Sequence, residues 1–152
     1  MNPHKTPTVE RQTRKYLNQV RYLEQALAWK KQQIAALRQM TTNATAKLSD
    51  MPRSDSPNLQ RLETLICKIA DLEQEVQADY VALESTRIQL TLTILNLPNM
   101  LHQQLLTERY LQNRSWKEIA GILGYSTSHI FRLHDDALCD IQQLLAKGET
   151  TL

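Results

Sequence analysis

The side chains best suited to chemistry lie close together near the C-terminal end of the sequence. They combine two hydroxyl groups, an aromatic ring and a guanidinium: Thr127, Ser128, Phe131 and Arg132. On a helix, residues at this spacing share one face. Arginine can donate two hydrogen bonds to guanine, and a phenyl ring or a threonine methyl can contact a thymine methyl. The four residues therefore predict a helix face that reads base edges in the major groove of DNA.

The position of Phe131 supports this interpretation. It is the one phenylalanine of the chain, and it lies off the phase of the nearby apolar residues Ile130, Leu133 and Ala137. If those three residues point into a core, Phe131 points away from it. A merely solvated face explains an aromatic ring poorly, whereas contact with bases would account for it.

The residues around this face have the pattern of a helix-turn-helix. Ser115 and Glu118 stand three apart, as in a capping box, and predict the beginning of a short helix. Gly124 permits a tight turn, after which Ser126 or Thr127 would cap a helix that continues to about residue 146. The two helices would share a core made of Ile119, Ala120, Leu123, Ile130 and Leu133.

Other polar residues flank the predicted reading face. They are candidates for contacts with DNA phosphates: Arg114, Ser115, Lys117 and His129. Contacts of this kind position a protein on the duplex without reading its sequence. For each of the four, a simple solvated role is the alternative.

Catalytic and metal chemistry have little support in the sequence. Cys67 and Cys139 are solitary, which excludes a zinc finger or a disulfide framework. His129 and His134 stand five apart, a spacing that puts them on different faces of a helix. There is no glycine-rich phosphate loop and no pairing of a nucleophile with a base. We therefore expect no enzyme, no metal site and no cofactor.

The composition predicts that long helices carry this segment. The chain has only three Gly and five Pro, so an all-α protein is expected. Turn-forming residues with two prolines occupy 50–57, between two segments with heptad patterns. Such a short connection favours antiparallel neighbours, and each helix would be on the order of 60 Å long. We predict a coiled-coil helical hairpin over residues 1–97 and a helix-turn-helix domain over residues 98–152.

Apolar residues spaced alternately by three and four define the two sides of the predicted seam. In the first helix these are Val20, Leu23, Leu27, Lys30, Ile34, Leu37, Thr41, Ala44 and Leu48. In the second they are Leu59, Leu62, Ile66, Ile69, Glu73, Val76, Tyr80, Leu83, Arg87, Leu90, Ile94 and Leu97. Lys30 and Glu73 fall at similar heights in a hairpin. We interpret them as a pair that sets the register, because charge in a seam is costly unless it is paired.

The charges are distributed unevenly along the chain. Residues 1–49 carry nine Lys and Arg against two acidic residues, and residues 50–97 carry four against eight. The two predicted arms are therefore complementary in charge. Residues 98–152 carry five basic against six acidic residues, which is weak charge for a DNA-binding domain that acts alone. Two reading domains on one duplex would offset this weakness.

A second apolar stripe lies outside the seam and predicts oligomerisation. Its main members are Tyr22, Trp29, Val81, Ile88, Leu92 and Leu95. In a monomer these side chains would face water, so we expect another subunit to cover them in a dimer or higher oligomer. The alternative is that the C-terminal domain folds back onto the stripe. No apolar run is long enough to cross a bilayer, and we expect a soluble, intracellular protein without a membrane partner.

Two strings in the sequence resemble a known family. Residues 101–145 look like the promoter-reading C-terminal domain of bacterial sigma factors. The string from Arg21 to Leu27 together with that from Trp116 to Leu138 makes the whole chain similar to phage-encoded, sigma-region-four-like regulators. The resemblance implies control of late phage genes, as in ArpU-type or RinA-type regulators. Thr127 and Ser128 stand where sigma factors usually have charged residues, which argues against ordinary minus-35 promoter recognition.

Two functional hypotheses follow. The first is a sequence-specific transcription regulator that binds double-stranded DNA. The second is a protein-interaction module, an antirepressor or an adaptor for RNA polymerase, in which the hairpin is the working surface. The sequence leaves open the operator, the sign of regulation, and contact with RNA polymerase or another phage or host protein.

Overall fold

The computed structural model of the chain describes residues 7–48 and 57–148. Within these residues every regular element is helical, as the composition predicts. The elements are α1 (Pro7–Leu17), α2 (Gln19–Leu48), α3 (Pro57–Leu95), α4 (Met100–Leu106), a π-helical turn (Thr107–Leu111), α5 (Trp116–Leu123) and α6 (Thr127–Lys147). The predicted connection over 50–57 lies outside the described residues except for Pro57, the first residue of α3. Proline is well placed there, because the first helical position needs no backbone donor.

The first long helix is interrupted at Asn18, where the sequence pattern predicts a continuous helix from residue 9 to residue 48. The Asn18 backbone N–H still donates to the Arg14 carbonyl at 3.0 Å, and the Tyr22 N–H donates to the Asn18 carbonyl at 3.0 Å. The Asn18 side chain also donates to the Arg14 carbonyl at 2.9 Å. Asparagine commonly competes with the backbone in this way, which explains the local irregularity.

The chain divides into two compact units, and the boundaries between them differ from the predicted boundary after residue 97. Among the described residues, one unit comprises 7–22 with 83–148, and the other comprises 23–48 with 57–82. The N-terminal helix α1 therefore belongs to the same unit as α6. No helix in the described ranges is both long enough and apolar enough to cross a membrane.

In the unit of residues 23–82, α2 and α3 run antiparallel. The Lys30 ammonium lies 2.6 Å from an Asp79 carboxylate oxygen and 3.3 Å from one of Glu75, while Arg38 pairs with Glu73. The predicted pairing of Lys30 with Glu73 is therefore wrong. Glu73, Glu75 and Asp79 lie within two turns of one helix, so more than one carboxylate can pair with Lys30 and the sequence alone does not fix the register.

The phase of the seam on α3 also differs from the prediction. The first-helix seam positions within this unit are all buried or half-buried, as are Leu62, Ile69 and Val76 on α3. Ile66 and Tyr80 are exposed instead, and the Lys31 ammonium lies 4.5 Å above the Tyr80 ring. Their neighbours Leu65 and Asp79 are half-buried in their place, and Leu72 is half-buried beside Glu73. The predicted seam residue Leu59 is exposed as well. The predicted seam and the observed seam share every seventh residue of α3, here Leu62, Ile69 and Val76. The apolar pattern alone therefore does not decide which of the residues between these three lie in the seam.

The other unit has its core around α6, which packs against α1, α4 and α5. Its fully buried side chains come from every one of these helices and from α3: Leu17, Ile94, Leu105, Leu106, Ile119, Ile130 and Ile141. The buried polar residue Thr93 has a partner, since its hydroxyl lies 2.7 Å from the Tyr16 hydroxyl of α1. Sequence reasoning missed that α1 completes this core.

Candidate nucleic-acid interface

The beginning of α5 is fixed by the predicted capping box. The Ser115 hydroxyl accepts a hydrogen bond from the Glu118 backbone N–H at 3.2 Å. The Glu118 carboxylate in turn accepts from the Ser115 N–H at 2.8 Å. The hydrogen bond from the Ser115 N–H, with a smaller contribution from the Ser115 side chain, favours the ionised carboxylate and lowers the pKa of Glu118 below its usual value. The capping box is confirmed, and it sets where the helix before the turn begins.

A three-residue turn joins α5 to α6. Gly124 ends α5 in the left-handed conformation, with φ at 74°, and its N–H donates to the Ala120 carbonyl at 2.9 Å. Ser126 caps α6 by accepting from the His129 N–H at 3.2 Å. Of the two capping residues that the sequence allows, the structure uses Ser126. Thr127 is thereby free to occupy the first turn of α6.

Replacing Gly124 with alanine should lower the free energy of unfolding by about 1 kcal/mol, because a Cβ disfavours the left-handed conformation. No atom lies within 4 Å of the added Cβ, so the backbone angle alone carries the cost. Gly121→Ala is the matched control. It adds the same methyl inside α5 with equally open space and should raise stability by up to about 1 kcal/mol. Urea unfolding that shows the same sign for both variants would contradict this account of the turn.

The helices on either side of the turn share the predicted core. Ile119 and Ile130 are completely buried, and Ala120 is nearly so. Leu123 and Leu133 are half-buried. Small Ala120 permits the close approach of the two helices. With Ile130 and Ala137 turned inward, the orientation of α6 about its own axis is fixed.

The predicted reading residues lie on the outward face of α6. All four are exposed, Phe131 at 45%: Thr127, Ser128, Phe131 and Arg132. Within the described residues Arg132 makes no hydrogen bond and no ion pair, so its guanidinium is available to a partner. Phe131 rests edge-on against the ring of Trp116, with the ring centroids 5.3 Å apart.

Trp116, the first residue of α5, joins three elements behind this face. The Arg109 guanidinium of the π-helical turn lies 4.3 Å above its ring, and the His134 ring of α6 meets it edge-on at 4.7 Å. Arg109 also donates to the Arg114 carbonyl at 3.0 Å. Burial lowers the pKa of Arg109, with a smaller contribution from the charge of Arg21. Sequence reasoning missed this cluster, for which the one signal was an aromatic residue beside the N-cap.

Beneath Trp116 lies a buried polar pair. The Tyr110 hydroxyl and the His134 Nε2 are 2.6 Å apart. Burial, together with the charges of nearby Arg14 and Arg109, lowers the pKa of His134 to about 4, whereas Glu10 acts in the opposite direction. Burial raises the pKa of Tyr110. The phenol and the imidazole are therefore both neutral where they share this hydrogen bond, and the pair serves the core.

The predicted phosphate-contacting residues have different surroundings. The Arg114 guanidinium donates to a Glu108 carboxylate oxygen at 2.6 Å, which neutralises part of its charge. His129 packs against the Tyr125 ring at 4.7 Å, and Ser115 is occupied as an N-cap. Lys117 is exposed and makes no hydrogen bond, ion pair or ring contact among the described residues. It is the best placed of the four for an external anion.

The two histidines considered for a metal site do not come together. His129 is exposed and His134 is buried, so these two residues do not face one site. In the ranges that the structure describes, no group of three or more His, Cys, Asp and Glu residues could hold a metal ion. Cys67 and Cys139 are free thiols. Comparison with protein-family models, with curated proteins and with solved structures found no match to this chain.

Proposed function

We propose that this protein is a sequence-specific transcription regulator that binds double-stranded DNA, with α5, the turn and α6 acting as a helix-turn-helix. The observation that carries the proposal is the exposed ridge at the beginning of α6, made of Thr127, Ser128, Phe131 and Arg132. In this motif the N-terminal part of the second helix enters the major groove and contacts base edges. A free guanidinium beside an aromatic ring suits guanine and a neighbouring thymine methyl.

The rigid support of the ridge favours a reading role over a solvated one. Phe131 is backed by Trp116, which Arg109 and His134 hold from other sides. A reading residue must be held in place by its surroundings if it is to discriminate between bases. A phenylalanine 45% exposed on such a support is poorly explained by packing within the chain.

Oligomerisation is the second part of the proposal. The six side chains of the predicted apolar stripe are exposed in the single chain, Val81 at 73% and Trp29 at 62%. The two long helices would form a coiled-coil hairpin whose stripe a second copy covers. A two-fold dimer would then present two copies of α6 to half-sites about 34–36 Å apart on DNA.

The resemblance to phage-encoded, sigma-region-four-like regulators gives the proposal its biological setting. It implies control of phage genes in the cytoplasm of a bacterial host, with RNA polymerase or another phage or host protein as a further partner. The chain offers no counterpart of the core-binding and promoter-melting regions of sigma factors. We therefore propose a regulator that acts beside a complete sigma factor.

Selection of bound sequences from a random pool of DNA duplexes tests the function directly. The wild type should enrich a short motif, and Arg132→Ala should lose about 1–3 kcal/mol of discrimination at one base position. Lys117→Ala is the control, because it removes a charge expected at a phosphate. It should weaken binding to all sequences alike and make the salt dependence shallower. Equal losses on every sequence for Arg132→Ala would contradict its proposed role.

A protein-interaction module is the second candidate function. The exposed Trp29 and Val81 on the unit of residues 23–82 favour it, because large apolar side chains on a long helical surface suit a protein partner. If the folded oligomer binds no DNA even at low salt, this candidate replaces the first.

A further inference from the structure

The N-terminal helix α1 is a fixed part of the unit that carries α6. It buries Thr13 and Leu17, of which 2% and 0% are exposed, and Val20 at the beginning of α2 is also fully buried. Helix α1 packs directly against α6. The charged residues of α1 therefore have defined positions relative to the reading face.

This packing changes the charge of the reading unit. Residues 98–152 have one more acidic than basic residue. The described part of the compact unit, residues 7–22 with residues 83–148, has ten Lys and Arg against seven Asp and Glu. Four of the ten basic residues come from the N-terminal segment: Arg11, Arg14, Lys15 and Arg21. The unit is therefore basic although its C-terminal segment is not.

Two of these residues lie beside the Trp116 cluster. Arg14 lies in α1 and Arg21 at the beginning of α2, seven residues further on, and the backbone hydrogen bonds of Asn18 continue the helical path between them. Arg21 is close enough to Arg109 to contribute to the lowering of its pKa, and Arg14 and Arg109 both act on the pKa of His134. Arg109 in turn covers Trp116, against which Phe131 packs. Arg109 thus packs on the ring that supports Phe131 and also lies within electrostatic range of Arg21.

Few acceptors among the described residues serve these three guanidinium groups. Arg14 pairs with Glu10 at 3.0 Å, an exposed bridge within one helix that contributes little to stability. Arg109 donates to a backbone carbonyl. Arg21 is exposed and has no hydrogen bond or ion pair within the residues that the structure describes. Three neighbouring positive charges with one carboxylate favour an external anion.

We propose that Arg14, Arg21 and Arg109 form an arginine strip that binds the phosphates of the same DNA duplex that α6 reads. The inference rests on the proposed function, because it extends the same interface onto the N-terminal helix. Arginine suits the task, since its planar guanidinium matches two phosphate oxygens. The strip supplies the charge that residues 98–152 lack, and it positions the duplex without reading its sequence.

The test compares two double variants that remove the same charge from the same segment. Arg14→Gln with Arg21→Gln removes two members of the strip. Arg11→Gln with Lys15→Gln removes two exposed charges of α1 that are not members of the strip. Affinity for the selected duplex is measured over a range of salt concentrations. The strip variant should make the slope of log affinity against log salt shallower by about 1.8, since each phosphate that is no longer neutralised reduces it by about 0.9. The control should leave the slope unchanged.

The outcomes separate this inference from the proposed function. If the wild type selects no DNA sequence, the proposed function fails. If the wild type selects a motif and the two double variants have equal slopes, the arginine strip is wrong and the proposed function stands. Arg21→Gln alone changes a side chain without a partner among the described residues and should give half of the shift. Thermal unfolding of each variant verifies that it is folded.

Discussion

Replacing Ile130 with alanine should lower the free energy of unfolding by about 2–5 kcal/mol, the range for large-to-small changes in a packed core. Ile130 is completely buried between α5 and the rest of its unit. The change removes buried methyl groups and leaves a cavity that the surrounding helices cannot fill completely. The effect is a large part of the total stability of an ordinary domain, and urea unfolding followed by circular dichroism would measure it.

Ile122→Ala provides the matched control for this prediction. Ile122 belongs to α5 and is 47% exposed, so the same chemical change should alter stability by no more than about 0.5 kcal/mol. A small effect at Ile130, similar to that at Ile122, would mean that α6 does not turn Ile130 into the core. The orientation of α6 that exposes Phe131 and Arg132 on the opposite face would then lose its support.

Lowering the pH from 7 to 5 should destabilise the protein through His134 by about 2 kcal/mol, rising to about 3 kcal/mol near pH 4. The pKa of His134 is about 4 in the folded protein, against 6.5 for an ordinary histidine. Below pH 6.5 the unfolded chain binds a proton that the folded protein excludes, so stability falls with pH. Arg14 and Arg109 strengthen this exclusion, Glu10 opposes it, and the Tyr110 hydroxyl occupies Nε2. The stabilisation is complete above pH 6.5.

His134→Gln isolates this effect from the titration of other groups. The variant is less stable at pH 7, because it loses ring packing against Trp116 and Tyr110. It should nevertheless lose about 2 kcal/mol less than the wild type between pH 7 and pH 5. Urea midpoints at the two pH values measure the difference. Parallel losses in both proteins would show that His134 is protonated in the folded state.

Together these variants connect stability with the proposed reading of DNA. His134 and Ile130 lie on the inward side of α6, while Arg132 lies on the outward side. Changes on the inward side should act on folding, and changes on the outward side should act on binding without affecting folding. This separation makes Arg132→Ala interpretable, because its effect on binding is not confused with unfolding.

Local signals in the sequence were sufficient for the turn between α5 and α6. The capping box of Ser115 and Glu118, the positive φ of Gly124 and the burial of Ile119 and Ile130 all agree with the prediction. The capping box and the left-handed glycine depend on residues within about one helical turn of one another. The burial of the two isoleucines follows from the spacing of apolar residues along a helix. The exposure of Phe131 follows from the same period.

Only the tertiary structure decided which helices and which charges meet. The sequence could not choose between the two heptad phases of α3, which is why Ile66 and Tyr80 were assigned to the seam and Lys30 was paired with Glu73. Nor could it show that α1 joins the unit of α6, or that burial keeps His134 neutral. These features depend on packing between residues far apart in the chain. Many registers satisfy the same apolar pattern, and the total packing of the unit selects one of them.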